Sequence, residues 1–110
     1  MTDDCLFCRI VAGEIPATVV AESENALAFR DIAPQAPTHV VVIPRTHVAN
    51  VTALAADPAL LHAVVELAAN VGAELPGGWR LVFNTGADAG QTVFHAHAHV
   101  LGGGQLGRLA

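Results

Sequence analysis

The chain has 110 residues, 53% of them hydrophobic, and a formal net charge of −5. That length holds one domain, residues 1–110, with a modest core, and five scattered arginines with no lysine exclude the basic face that duplex nucleic acid requires. No apolar run is long enough to cross a bilayer.

The amino end, Met1-Thr2-Asp3-Asp4-Cys5, is acidic and lacks the basic start and apolar run of a secretion signal, so a cytoplasmic location is expected. Residues 5–12 form a short helix or turn closed by Gly13. Residues 18–21 and 26–30 are strand-like runs, with Glu22-Ser23-Glu24-Asn25 as the hairpin turn between them. Ala33-Pro34-Gln35-Ala36-Pro37 is a rigid loop, and residues 38–43 make a β-branched strand that Pro44 stops. Asp57 caps a long helix with Pro58 at its first position. Its apolar stripe is Leu60, Val64, Leu67, Val71 and Leu75, widened by Leu61, Val65 and Ala68, and Pro76-Gly77-Gly78 terminates it. Residues 79–84 are the next strand, residues 86–90 a flexible loop, and a last strand starts near Val93 and ends at Gly102-Gly103-Gly104. Residues 103–110 are a short tail. A meander with one main helix is an α+β domain with an antiparallel five-stranded sheet. So much apolar surface on so small a chain predicts a self-complementary patch and a homodimer.

The last strand carries His95-Ala96-His97-Ala98-His99-Val100-Leu101. A strand places alternate side chains on opposite faces, so three imidazoles share one face while Ala96, Ala98 and Val100 take the other. Imidazole is the side chain best suited to accept protons, attack phosphorus or hold a metal at neutral pH. Cα atoms two apart on a strand are roughly 6.7 Å apart, and the outer pair roughly 13 Å. One zinc needs its nitrogens at about 2 Å. His95 and His99 therefore can hardly share one ion, and the row must divide its tasks along its length.

Three segments together carry a wider pattern. They are Gly90-Gln91-Thr92-Val93-Phe94 with the histidine row, Pro37-Thr38-His39-Val40-Val41-Val42-Ile43-Pro44-Arg45-Thr46-His47, and Ala28-Phe29-Arg30-Asp31-Ile32-Ala33-Pro34-Gln35-Ala36-Pro37. With these motifs, which stand along the chain in the family's order, the chain from about Cys5 to Gly104 resembles the histidine triad (HIT) family, and within it the Hint branch of nucleoside phosphoramidases. The resemblance implies a sheet with a long helix and a short amino-terminal one, paired across a two-fold axis so that two sheets join. It implies hydrolysis of purine nucleoside phosphoramidates through a covalent nucleotidyl-histidine on His97. His99 would donate to a phosphoryl oxygen or the leaving group, and His39 would orient it from a neighbouring strand. Thr92, with Gln91 beside it, would hold the leaving-group side. Asn84 looks like the family's phosphate- or sugar-side amide. Asp31 corresponds to the ribose-hydroxyl acceptor, and Phe7, Ile10, Phe29 and Ile32 to apolar walls around a purine.

Cys5-Leu6-Phe7-Cys8 is a CxxC without the βαβ setting of a thioredoxin-type site. Some HIT proteins hold zinc on a matching CxxC with two histidines, which implies Cys5, Cys8, His47 and His95 here. The alternative is a pair of reduced thiols. His62 lies away from every motif and reads as a surface residue. Two departures stand out: Thr92 replaces the serine common in the Hint branch, and the tail lacks that branch's aromatic-proline ending. A dinucleoside polyphosphate hydrolase, or a non-catalytic zinc- and nucleotide-binding dimer, are the competing readings.

Overall fold

In a computed structural model, which describes residues 4–108, five antiparallel strands form one sheet in the order β1-β2-β3-β5-β4. The strands are β1 (Val19–Glu22), β2 (Ala26–Arg30), β3 (Thr38–Pro44), β4 (Trp79–Phe83) and β5 (Ala98–Gly102). Three helices accompany them: α1 (Leu6–Val11), α2 (Val51–Ala55) and the long α3 (Pro58–Gly72).

Strand alternation sorts the sheet into two covered faces. Ala26, Ala28, Val40, Val42, Ala98 and Val100 point to one side, where Leu54, Leu60, Val64, Leu67 and Ala68 of α2 and α3 cover them. Leu27, Phe29, Val41 and Ile43 point to the other, where Phe7 of α1 covers them. Small residues on the first face let α3 approach closely. The same logic appears at Gly72, where an added Cβ would lie 2.3 Å from the Trp79 indole. As expected, Asp57 caps α3, its Oδ1 accepting from the Leu60 N–H at 3.1 Å.

Two elements differ from their sequence expectations. Helix α3 ends at Gly72 rather than reaching Leu75, although Leu75 still packs on the core from the following turn. The last strand starts at Ala98, not near Val93. Strand β4 ends at Phe83, opposite Ala98, while β3 runs two residues past its Val42–Ala98 pair to Pro44, which has no N–H to donate. The chain before Ala98 finds other partners, with the Ala96 N–H donating to Val48 O at 2.7 Å. His95 and His97 thus precede the strand, yet the alternation persists: Ala96, Ala98 and Val100 join the α3 core while the histidines face away from it. Helix α2, capped by Asn50, carries no periodic stripe long enough to be anticipated.

Candidate active site and metal cluster

Each histidine of the row is assigned its role by a main-chain carbonyl or a neighbouring ring. A carbonyl only accepts, so a ring nitrogen facing one carries the proton. His95 Nε2 lies 2.8 Å from Pro44 O, which leaves Nδ1 with its lone pair. His97 is reversed: Nδ1 lies 2.8 Å from His95 O, so Nε2 holds the lone pair.

His99 is set from behind. The Gln35 backbone N–H donates to His39 Nδ1 at 3.0 Å, which makes Nε2 the protonated nitrogen of neutral His39. That nitrogen is 2.8 Å from His99 Nδ1 and donates to it, so neutral His99 carries its proton on Nε2. The protonated nitrogen thus alternates along the row, and the row offers a lone pair at His95 Nδ1, a lone pair at His97 Nε2 and a donor at His99 Nε2.

Burial pushes the His97 pKa below the ordinary imidazole value, opposed by its bond to His95 O and by the Asp31 charge. His99 is driven down to about 4 by burial and by the neighbouring His97 and His39, with Asp31 opposing. His95 is lowered chiefly by burial. All three are neutral at physiological pH.

Two groups of side chains converge closely enough to hold an ion. The first is Cys5, Cys8, His47 and His95. Zinc at about 2.3 Å from sulfur and 2.0–2.1 Å from nitrogen would give tetrahedral edges of about 3.3 Å between nitrogens and about 3.5 Å between nitrogen and sulfur. The distances found are 3.2 Å for His47 Nδ1 to His95 Nδ1, 3.5 Å from His95 Nδ1 to each sulfur, and 3.3 Å for Cys8 Sγ to His47 Nδ1. The donor set fits a tetrahedral thiophilic ion, and Pro44 O supplies the outer bond that aims His95. The second group, Asp31, His39 and His99, fails the same test. To ligate through Nε2, His39 must move its proton to Nδ1, where the Gln35 N–H already points.

A cavity of about 330 Å³ lies on the α1 side of the sheet. Its apolar wall includes Phe7, Ile10, Phe29 and Ile32, and its polar end Asp31, Thr92, His97 and His99. Phe7 ties wall to chemistry, its ring centroid lying 5.0 Å from that of His97 and 5.5 Å from that of Phe29. Ile32 is fully exposed at the rim. Asp31 serves two purposes: Oδ1 accepts from the Ala33 N–H at 2.8 Å, and Oδ2 stands 3.5 Å from His39 Nε2.

Three expected site residues do not line this cavity. His39 is buried behind His99 and acts through it. Asn84 spends its amide on Ala89 O at 2.9 Å. Gln91 is buried, accepting from the Gly86 N–H and donating to Ala49 O and Val93 O, so it clamps the 86–93 loop instead of offering an amide to substrate. Leu6, Ile15, Pro16 and Ala17, not anticipated from the sequence, extend the apolar wall. Their only signal is an apolar cluster flanking α1. His62 sits on the surface of α3, 3.3 Å from Glu66, as expected.

A lone-pair imidazole at the end of an apolar cavity, with a carboxylate at its rim and a donor imidazole beside it, defines a histidine-based hydrolase fold. The chain belongs to the HIT family, whose HIT domain model matches residues 12–106. It is 48% identical over 111 residues to an uncharacterised HIT-like protein of Synechococcus elongatus, covering 96% of each. It is similar to a solved HIT family hydrolase from Clostridium thermocellum, with a TM-score of 0.92, 39% identity, and 99% of this chain and 98% of that one covered. A HIT family hydrolase from Legionella pneumophila matches with a TM-score of 0.87, 50% identity and coverage of 93% and 95%.

Proposed function

We propose that the protein hydrolyses purine nucleoside phosphoramidates in two displacements, as the Hint branch of its family does. The observation that carries this reading is the His97 ring, held at Nδ1 by His95 O with Nε2 left bare at the cavity. In the first step the Nε2 lone pair attacks phosphorus, a P–N bond to the ring forms, and the P–N bond to the amine breaks. The positive charge that develops on the ring strengthens the bond from Nδ1–H to the His95 carbonyl. His99 Nε2–H donates to a phosphoryl oxygen. The departing nitrogen takes a proton from water at the open mouth, where the Thr92 hydroxyl can pass it on. In the second step water attacks phosphorus, the bond to Nε2 breaks and the nucleoside monophosphate leaves.

The apolar wall receives the base, and Asp31 accepts from the ribose hydroxyls, its carboxylate suited to a vicinal diol. The cluster of Cys5, Cys8, His47 and His95 would hold zinc. With four protein ligands such an ion is structural, and it fixes α1, and with it Phe7, against the site. Strand β4 is a sheet edge, so two copies can join edge to edge as the homodimer expected from composition. Thr92 favours a second reading, cleavage of dinucleoside polyphosphates, by the same nucleophile with phosphate as leaving group. The deciding experiment compares turnover of an adenosine phosphoramidate and a diadenosine polyphosphate, with trapping of a nucleotidyl-protein adduct. An adduct on His97 with faster phosphoramidate turnover supports the proposal. Absence of any adduct with either substrate refutes it.

A further inference from the structure

The loop between β2 and β3 joins two tasks in one short stretch of backbone. The Asp31 N–H donates to His39 O at 3.0 Å, which roots the loop on β3. Asp31 Oδ1 accepts from the Ala33 N–H at 2.8 Å, and Gln35 Nε2 donates to Ala33 O at 3.0 Å. The Gln35 N–H then donates to His39 Nδ1 at 3.0 Å. Asp31 and Gln35 are thus tied through one residue, Ala33, on the Gln35 side by the side-chain amide, while the Gln35 backbone N–H is the group that meets His39. Asp31 faces the cavity, while the Gln35 amide faces the ring that sets His99.

We propose that this loop is a positioning device: the Gln35 backbone amide locks the donor tautomer of His99, and an occupied ribose site on Asp31 holds that lock in place. This inference rests on the phosphoramidase reading of the cavity. A neutral imidazole has one proton to place. With the Gln35 amide withdrawn, His39 is free to protonate at Nδ1, and its Nε2 becomes an acceptor facing His99. His99 must then protonate at Nδ1 and present a lone pair to the phosphoryl oxygen. Attraction at that oxygen becomes repulsion, so a small movement of the loop changes the sign of a transition-state contact. Ribose hydroxyls donating to Asp31 steady its carboxylate and, through Ala33, the amide. The ribose thereby contributes to the chemical step as well as to binding.

Two measurements test this independently. The first is imidazole ¹⁵N–¹H correlation spectroscopy on the whole protein at pH 8. His39 and His99 are expected to be protonated at Nε2 and His97 at Nδ1. Gln35→Ala, which keeps the amide, preserves this pattern, and Gln35→Pro, which removes the amide, converts His99 to a mixture. A wild-type His99 protonated at Nδ1 overturns the lock. The second uses the unmodified protein, so it stands even if Gln35→Pro does not fold. Ribo-, 2′-deoxy- and 2′,3′-dideoxyadenosine phosphoramidates are compared. Loss of both hydroxyls is expected to lower kcat about tenfold or more, beyond any rise in KM. A rise in KM with kcat unchanged overturns the coupling. No turnover of the ribo substrate instead refutes the phosphoramidase reading, and the imidazole spectrum alone then decides the lock.

Discussion

Removing the metal tests how the amino-terminal helix is held. Helix α1 has six residues, far below the roughly 12–15 at which isolated helices begin to persist in water. Its stability comes from Phe7 and Cys8, both buried, and from the cluster that Cys5 and Cys8 form with His47 and His95. An ion bound only by the folded chain stabilises it by about 2.7 kcal/mol when free metal is a hundredfold above its Kd. For a domain of this size that corresponds to roughly 10 °C in Tm. Phe7 rides on the same helix and touches the His97 ring, so stripping the ion should also weaken purine monophosphate binding. Protein purified without added metal is expected to contain one zinc per chain by elemental analysis. A strong chelator should lower Tm by roughly that amount at fixed protein concentration and raise the nucleotide Kd in calorimetry. Cys8→Ser should lose the zinc and lower Tm without chelator. A preparation shown to be metal-free that kept both Tm and nucleotide affinity would refute the reasoning.

Four further outcomes follow from the geometry. His97→Ala should abolish phosphoramidate turnover while retaining nucleotide binding, because the cavity wall is otherwise intact; wild-type rates in that variant would contradict the nucleophile assignment. The acid midpoint of turnover should lie below the ordinary imidazole value near 6.5, since burial lowers the His97 and His99 pKa values; an acid midpoint at or above 6.5 in kcat/KM would count against this. Stability has the matching sign. The unfolded chain takes up protons below about 6.5 while folded His99 resists until about 4, so urea midpoints should fall across that window and hold above it. Gly72→Ala should destabilise by up to about 2 kcal/mol: a gain of ~1 kcal/mol in helix propensity is set against about 1–3 kcal/mol of overpacking where the new Cβ meets Trp79. Measured in a Trp79→Leu background, the Gly72→Ala increment should nearly vanish.

The residues whose chemistry is periodic or punctuated were legible in the chain itself. Asp57-Pro58 announced α3, the alternation around His95, His97 and His99 announced a shared face, and the CxxC announced two of four metal-cluster residues. Where β5 starts was not legible, because it depends on where β4 ends, at Phe83 opposite Ala98, and on the Ala96 N–H turning to Val48 O. Gln91 reads as a substrate amide because side-chain type alone does not show which backbone groups a loop leaves unsatisfied. The Gln35 contribution was hidden for a stronger reason. It comes from a backbone N–H, which every residue but proline possesses, and only the fold reveals which ring it faces.

The bonds that divide labour along the histidine row run to the carbonyls of Pro44 and His95 and from the Gln35 amide. Apart from the His39 ring that relays the Gln35 amide to His99, no side-chain group takes part, so exchanging other neighbouring residues for ones that keep the chain's path leaves the three rings in their roles. The rim residue Ile32 and the outer wall on α1 can therefore vary to suit a different base without retuning the nucleophile. Base preference and the nucleophile's reactivity are, in this architecture, separately adjustable.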